Sequence, residues 1–143
     1  MCPGKESVFT FLENVIDEMV ASFSRVLYFH IGGDECPKES WKSCSLCQKR
    51  ILEEGIKPDK KHTSEQLLHT YVVKRIGKYL ARYNKKIIGW DEILEGKPDS
   101  TATIMSWRGD AGGISAALSG HDVIMSPGPE RTLSGLLSGG QQG

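Results

Sequence analysis

Two carboxylates stand side by side in His30-Ile31-Gly32-Gly33-Asp34-Glu35, directly after the largely apolar run Arg25-Val26-Leu27-Tyr28-Phe29. The run reads as a buried strand, and the glycine pair as the bend that ends it. Adjacent like charges raise each other's pKa, so one acid can keep a proton near neutral pH while the other stays ionised. A site built on such a pair holds a general acid beside a charged stabiliser. The glycines let the chain turn sharply, so the two side chains need not point to opposite faces as they would in a strand. A solvated surface turn is the alternative reading of the same residues. Further unusual residues end two later apolar runs: Trp90-Asp91 after Lys86-Ile87-Ile88-Gly89, and Trp107-Arg108 after Ala102 to Ser106. Each tryptophan, read alone, is equally at home as a core residue.

These strand ends need elements to hold them. Val8, Phe11, Leu12, Val15, Ile16, Met19, Val20 and Phe23 fall at three- and four-residue steps, which predicts one apolar helical face. Strands are expected over Arg25–Ile31, Lys86–Trp90, Ala102–Trp107 and Asp122–Ser126. A helix is expected over Glu39–Glu54, stopped by Gly55. Thr63-Ser64-Glu65-Gln66 fits a capping box that opens a long amphipathic helix reaching Tyr83. Asp110–Ser119 reads as a helix weakened by Gly112-Gly113. Short, almost uniformly apolar strands alternating with helices point to parallel βα units in a sheet covered on both faces. Collection of unusual residues at strand ends suits a (β/α)8 barrel, whose sites lie there, or the crevice of an open sheet. Four strands are half of a barrel's eight, so the chain reads as the middle of one.

The 143 residues are 25% charged with a net charge of zero, and no basic block marks a nucleic-acid surface. No apolar run approaches the roughly 20 residues of a membrane span. Met1-Cys2-Pro3-Gly4 leads straight into a helix pattern rather than a signal peptide, in keeping with a fragment. Cys36, Cys44 and Cys47 cluster, the last two as a CxxC. They read as free thiols or one local disulfide ahead of a structural zinc site, for which Cys2 or His62 would be the fourth ligand, and ahead of a redox motif. No metal and no cofactor are expected. From Pro127 the composition changes, and residues 128–143 read as a disordered or foreign tail.

Four motifs in order carry a resemblance: His30 to Glu35, Ile88-Gly89-Trp90-Asp91-Glu92, Met105-Ser106-Trp107-Arg108-Gly109, and Val123-Ile124-Met125-Ser126-Pro127. Over residues 1–127 the chain closely resembles the catalytic domain of glycoside hydrolase family 20, the β-N-acetylhexosaminidases. The resemblance implies an α/β fold, a partial (β/α)8 TIM barrel of roughly strands 4 to 7 with their helices. It implies hydrolysis of terminal β-linked N-acetylhexosamine with retention, the substrate's own 2-acetamido oxygen acting as nucleophile. Glu35 would be the general acid and then the base, and Asp34 would orient the acetamido group and stabilise its positive charge. Two acids neighbouring in sequence could hardly flank a glycosidic bond from opposite faces, which suits this exception to the two-carboxylate scheme. Trp90 and Trp107 would wall the sugar pocket, and His30 would tune Glu35 from behind. Arg108 is expected in a salt bridge.

The family's Tyr-x-Asp pair after the seventh strand is replaced here by Pro127-Gly128-Pro129-Glu130-Arg131. Its gripping arginine on the first strand lies on a segment this chain does not contain. The implied partners are oligosaccharides or glycoconjugates bearing N-acetylhexosamine, with no nucleic acid and no membrane. The implied location is secreted, periplasmic or lysosomal-type. An inactive carbohydrate-binding or vestigial fragment is the alternative.

Overall fold

The computed structural model describes residues 1–126. The expected tail, 128–143, lies outside the described residues. Four strands form one sheet: β1 (Tyr28–His30), β2 (Lys86–Trp90), β3 (Thr103–Ser106) and β4 (Val123–Met125). Their order across the sheet is β1-β2-β3-β4, and every neighbouring pair is parallel. Parallel neighbours need crossovers, and helices supply them. Helix α1 (Glu6–Ser22) precedes β1, and α2 (Glu39–Lys42), α3 (Ser45–Glu53) and α4 (Ser64–Ala81) connect β1 to β2. A 3-10 helix (Asp91–Gly96) connects β2 to β3, and α5 (Asp110–Leu118) connects β3 to β4. Sequential order with all strands parallel is what a stretch of a (β/α)8 barrel requires.

Phe29, Ile87 and Ile104 meet Val73, Ile76 and Leu80 of α4 in the main core. The α4 start is as the residues predict: the Thr63 hydroxyl accepts the Gln66 N–H, and the Gln66 side chain accepts the Thr63 N–H.

Three expectations are corrected. The first strand is shorter than Arg25–Ile31, with Val26 and Leu27 exposed. Pairing begins only where the Leu27 carbonyl accepts the Lys86 N–H at 2.9 Å. The Glu39–Glu54 helix is two helices, because Cys44 between them is extended (φ −84°, ψ 112°). Third, the apolar stripe of α1 is buried only in part: Ile16 is in the core and Leu12 and Val20 pack against it. Phe9, outside that stripe, is fully buried, while Phe11 is 65% and Phe23 56% exposed. The Phe9 ring meets Tyr71 edge-on at 5.9 Å and lies 3.9 Å beneath the Arg75 guanidinium, and Arg75 and Arg50 both pair with Glu6. These contacts set the rotation of α1 about its axis. Leu12, Val15 and Met19 consequently look into a cavity of about 450 Å³ beside β1, the edge strand.

Candidate active site

The acid pair sits just beyond β1 on a backbone that only glycine makes easy. Gly32 (φ 74°), Gly33 (φ 98°) and then Glu35 (φ 40°) all adopt left-handed conformations. Gly33 is required for a second reason, since a Cβ there would lie 2.5 Å from Ile93 Cγ2. A non-glycine residue held left-handed costs about 1–3 kcal/mol and recurs at functional sites. The β1–β2 ladder runs on into the bend: Ile31 N–H donates to Ile88 O at 2.8 Å, and Trp90 N–H to Gly32 O at 2.9 Å. The bend is thereby tied to the strand end that carries Trp90.

The two acids are exposed and look into different spaces. Glu35 lines an open groove of about 480 Å³ with Lys38, Glu92, Glu95 and Arg108. Asp34 lines the cavity beside α1, together with His30. His30 joins Asp34 to the tryptophans, and among the described residues no contact pairs it with Glu35, contrary to the expectation that it would tune that acid. Its ring stacks edge-on against Trp90 at 4.8 Å, and Trp90 meets Trp107 at 6.5 Å. Partial desolvation lowers the His30 pKa, and the nearby Asp34 charge offsets only part of that shift. Its Nδ1 accepts the Gly32 N–H at 3.1 Å, so the neutral ring carries its proton on Nε2. All five residues singled out from the sequence — His30, Asp34, Glu35, Trp90 and Trp107 — thus surround one end of the sheet.

A firmer layer lies under them. Asp91 is 2% exposed, and its carboxylate accepts from Ser106 Oγ at 3.3 Å and from Arg108 Nε at 3.0 Å. Arg108 also lies 3.6 Å from Glu92, which accepts the Trp107 indole N–H at 3.2 Å. The expected Arg108 salt bridge is therefore present. Gly112 looked like a weakness in α5, but a Cβ there would come within 2.3 Å of Asp91 Oδ2. Its smallness lets the first turn of α5 approach the Asp91 carboxylate, where the helix dipole favours negative charge. Asp91 and Glu92 as pinning groups, and Ser106 with them, were missed from the sequence. The signal was there for the first two, since both follow a strand-end tryptophan.

Strand-end acids and tryptophans on a run of parallel βα units now have a match. The family model described as "Glycosyl hydrolase family 20, catalytic domain" matches residues 1–133. The chain belongs to glycosyl hydrolase family 20. A beta-hexosaminidase of Porphyromonas gingivalis is 54% identical over 127 residues, covering 89% of this chain and 15% of that protein. The solved beta-N-acetylhexosaminidase of Bacteroides fragilis superposes with a TM-score of 0.75 at 28% identity, covering 89% of this chain and 25% of its own. The family 20 exo beta-N-acetylglucosaminidase of Vibrio harveyi, solved in complex with N-acetylglucosamine, gives 0.78 at 26%, covering 89% and 19%. The chain thus spans about a sixth of the length of the Porphyromonas gingivalis relative. The parallel sheet and these neighbours make its fold a part of the family's (β/α)8 barrel.

Proposed function

We propose that this chain carries the acid/base portion of a β-N-acetylhexosaminidase site, acting on terminal β-linked N-acetylglucosamine or N-acetylgalactosamine with retention. The observation that carries the reading is the left-handed Glu35 at the rim of a groove shared with Glu92 and Arg108, at the same end of the sheet as His30, Trp90 and Trp107, which meet edge-on. Glu35 protonates the glycosidic oxygen as the bond breaks and then takes a proton from the attacking water. The acetamido oxygen of the substrate attacks the anomeric carbon, and Asp34 orients that group and stabilises its charge. Asp34 and Glu35 opening onto different spaces fits two tasks at two atoms of the sugar. The indole faces offer flat apolar walls to the pyranose. The names of the relatives favour hydrolysis over a binding-only role.

The test is release of p-nitrophenol from p-nitrophenyl N-acetyl-β-glucosaminide by the purified 143-residue chain, run beside E35Q. Loss of at least about 100-fold in the variant supports the role of Glu35. Equal rates, or none from either, overturn the reading for this chain.

A further inference from the structure

The CxxC segment and the first residues of the chain meet beside α2, and the hydrolase reading uses none of their cysteines. Cys2 Sγ lies 3.7 Å from Cys44 Sγ and 3.6 Å from Cys47 Sγ, and the three sulfurs all fall within 4.8 Å of one another. Four-coordinate zinc with Zn–S bonds of about 2.3 Å sets its thiolates about 3.8 Å apart along the edges of the tetrahedron. Two of the three edges already have that length.

The Cys2–Gly4 turn and the start of α3 are packed directly together. The approach of the two segments is close: a Cβ on Gly4 would lie 2.3 Å from the Leu46 carbonyl. Pro3 is fully buried, and the Trp41 indole N–H donates to the Met1 carbonyl at 3.1 Å. Cys36, expected in the cluster, and His62, expected as a possible fourth ligand, both stand outside the set. His62 Nδ1 is engaged by Asp59 at 2.9 Å, and Cys36 packs against the same small core without joining the three sulfurs.

We propose that Cys2, Cys44 and Cys47 bind one soft divalent ion of the zinc class as three thiolate ligands, with the fourth position open to a non-protein ligand. Thiolates select such ions over oxygen-preferring ones. On binding, three metal–sulfur bonds form and the three thiol protons pass to solvent; no electron is transferred. The ion would tie the Cys2–Gly4 turn to α3 and thereby brace the segment that follows the Asp34–Glu35 loop.

The experiment is anaerobic titration of the reduced 143-residue chain with Co²⁺, read by thiolate-to-cobalt charge transfer, then displacement by Zn²⁺. Saturation at one ion per chain, bleaching by zinc and a rise in Tm of about 10 °C on zinc addition are expected, the last being the size for a ligand at 100 times its Kd in a domain this small. C44S should weaken binding by more than about 100-fold, beyond a typical outer-shell loss, while C36S should leave it unchanged. A wild-type chain that is folded by circular dichroism but shows no charge-transfer band overturns the site. So does a band with no change in Tm, because an ion held equally by the unfolded chain stabilises nothing. Loss of the band in C36S as complete as in C44S overturns the assignment of these three ligands. The wild-type titration decides the question even if C47S, at the most buried position, fails to fold.

Discussion

Glu35 and Asp91 both follow the end of a parallel strand, yet they live in opposite surroundings. Glu35 is exposed, its backbone is left-handed, and among the described residues no hydrogen bond holds its carboxylate. Asp91 is buried, with Ser106 and Arg108 bonded to it and the start of α5 pressed against it. One acid is free to meet a substrate, and the other is consumed in holding its neighbours. The proposed function gives the chemistry to the loop with few constraints, while the strand ends of β2 and β3 form the frame that keeps Trp90, Trp107 and Arg108 in place.

Changes on either side should separate cleanly. E35Q should lower kcat by about 10²–10⁴-fold in the glycosidase assay while leaving the thermal midpoint where it was. A comparable drop in Tm would mean that Glu35 belongs to the frame after all. D91A should do the reverse, costing about 1–2 kcal/mol in urea unfolding by removing the buried acceptor of the Arg108 guanidinium, while the Ser106 hydroxyl keeps the Gly109 carbonyl at 2.8 Å. G33A probes the join between loop and frame. It meets both the positive φ and the Ile93 methyl, so a loss of about 2 kcal/mol is expected, and an unchanged urea midpoint would show that the bend can relax. W107F keeps an aromatic face, though a smaller one, but loses the N–H bonded to Glu92, and should cost about 1–2 kcal/mol with a higher KM.

The smallest effect is one of pH. Burial holds the pKa of His69, which is 6% exposed, below its ordinary 6.5, and Lys38 acts in the same direction. Desolvation lowers His30 likewise. The unfolded chain then binds protons that the native chain does not as pH falls below 6.5, so stability declines there, by at most about 1.4 kcal/mol per pH unit for each histidine. Unfolding midpoints in urea between pH 7 and 5 check the slope, and H69Q should flatten it. An unaltered slope in that variant would assign the acid sensitivity elsewhere.

Local chemistry made much of this molecule legible. The Lys86–Trp90 strand, the Thr63 capping box and the α5 span follow from short-range patterns, and the structure agrees with them to within a residue. The parallel order followed from alternation of strand and helix. The site candidates were readable because acids and indoles at strand ends are conspicuous. That Phe9 rather than Phe11 would be buried on α1 was not readable, because Arg50 and Arg75 on later helices decide it through Glu6 and the Phe9 ring. The break at Cys44 was hidden for a similar reason: helix propensity runs through Ser43-Cys44, and packing of the first residues of the chain against α3 accompanies the break.

The sequence by itself determined the element order, the glycine bend and the identity of the chemical groups, all of which depend on neighbours a few residues apart. Only the tertiary structure decided which carboxylate is free and which is bound, since Asp34-Glu35 and Asp91-Glu92 are the same two residue types in the same order. It also decided that Cys2 joins the CxxC. Both outcomes rest on contacts across 15 to 45 residues of chain, where burial and geometry, not local propensity, set the energy.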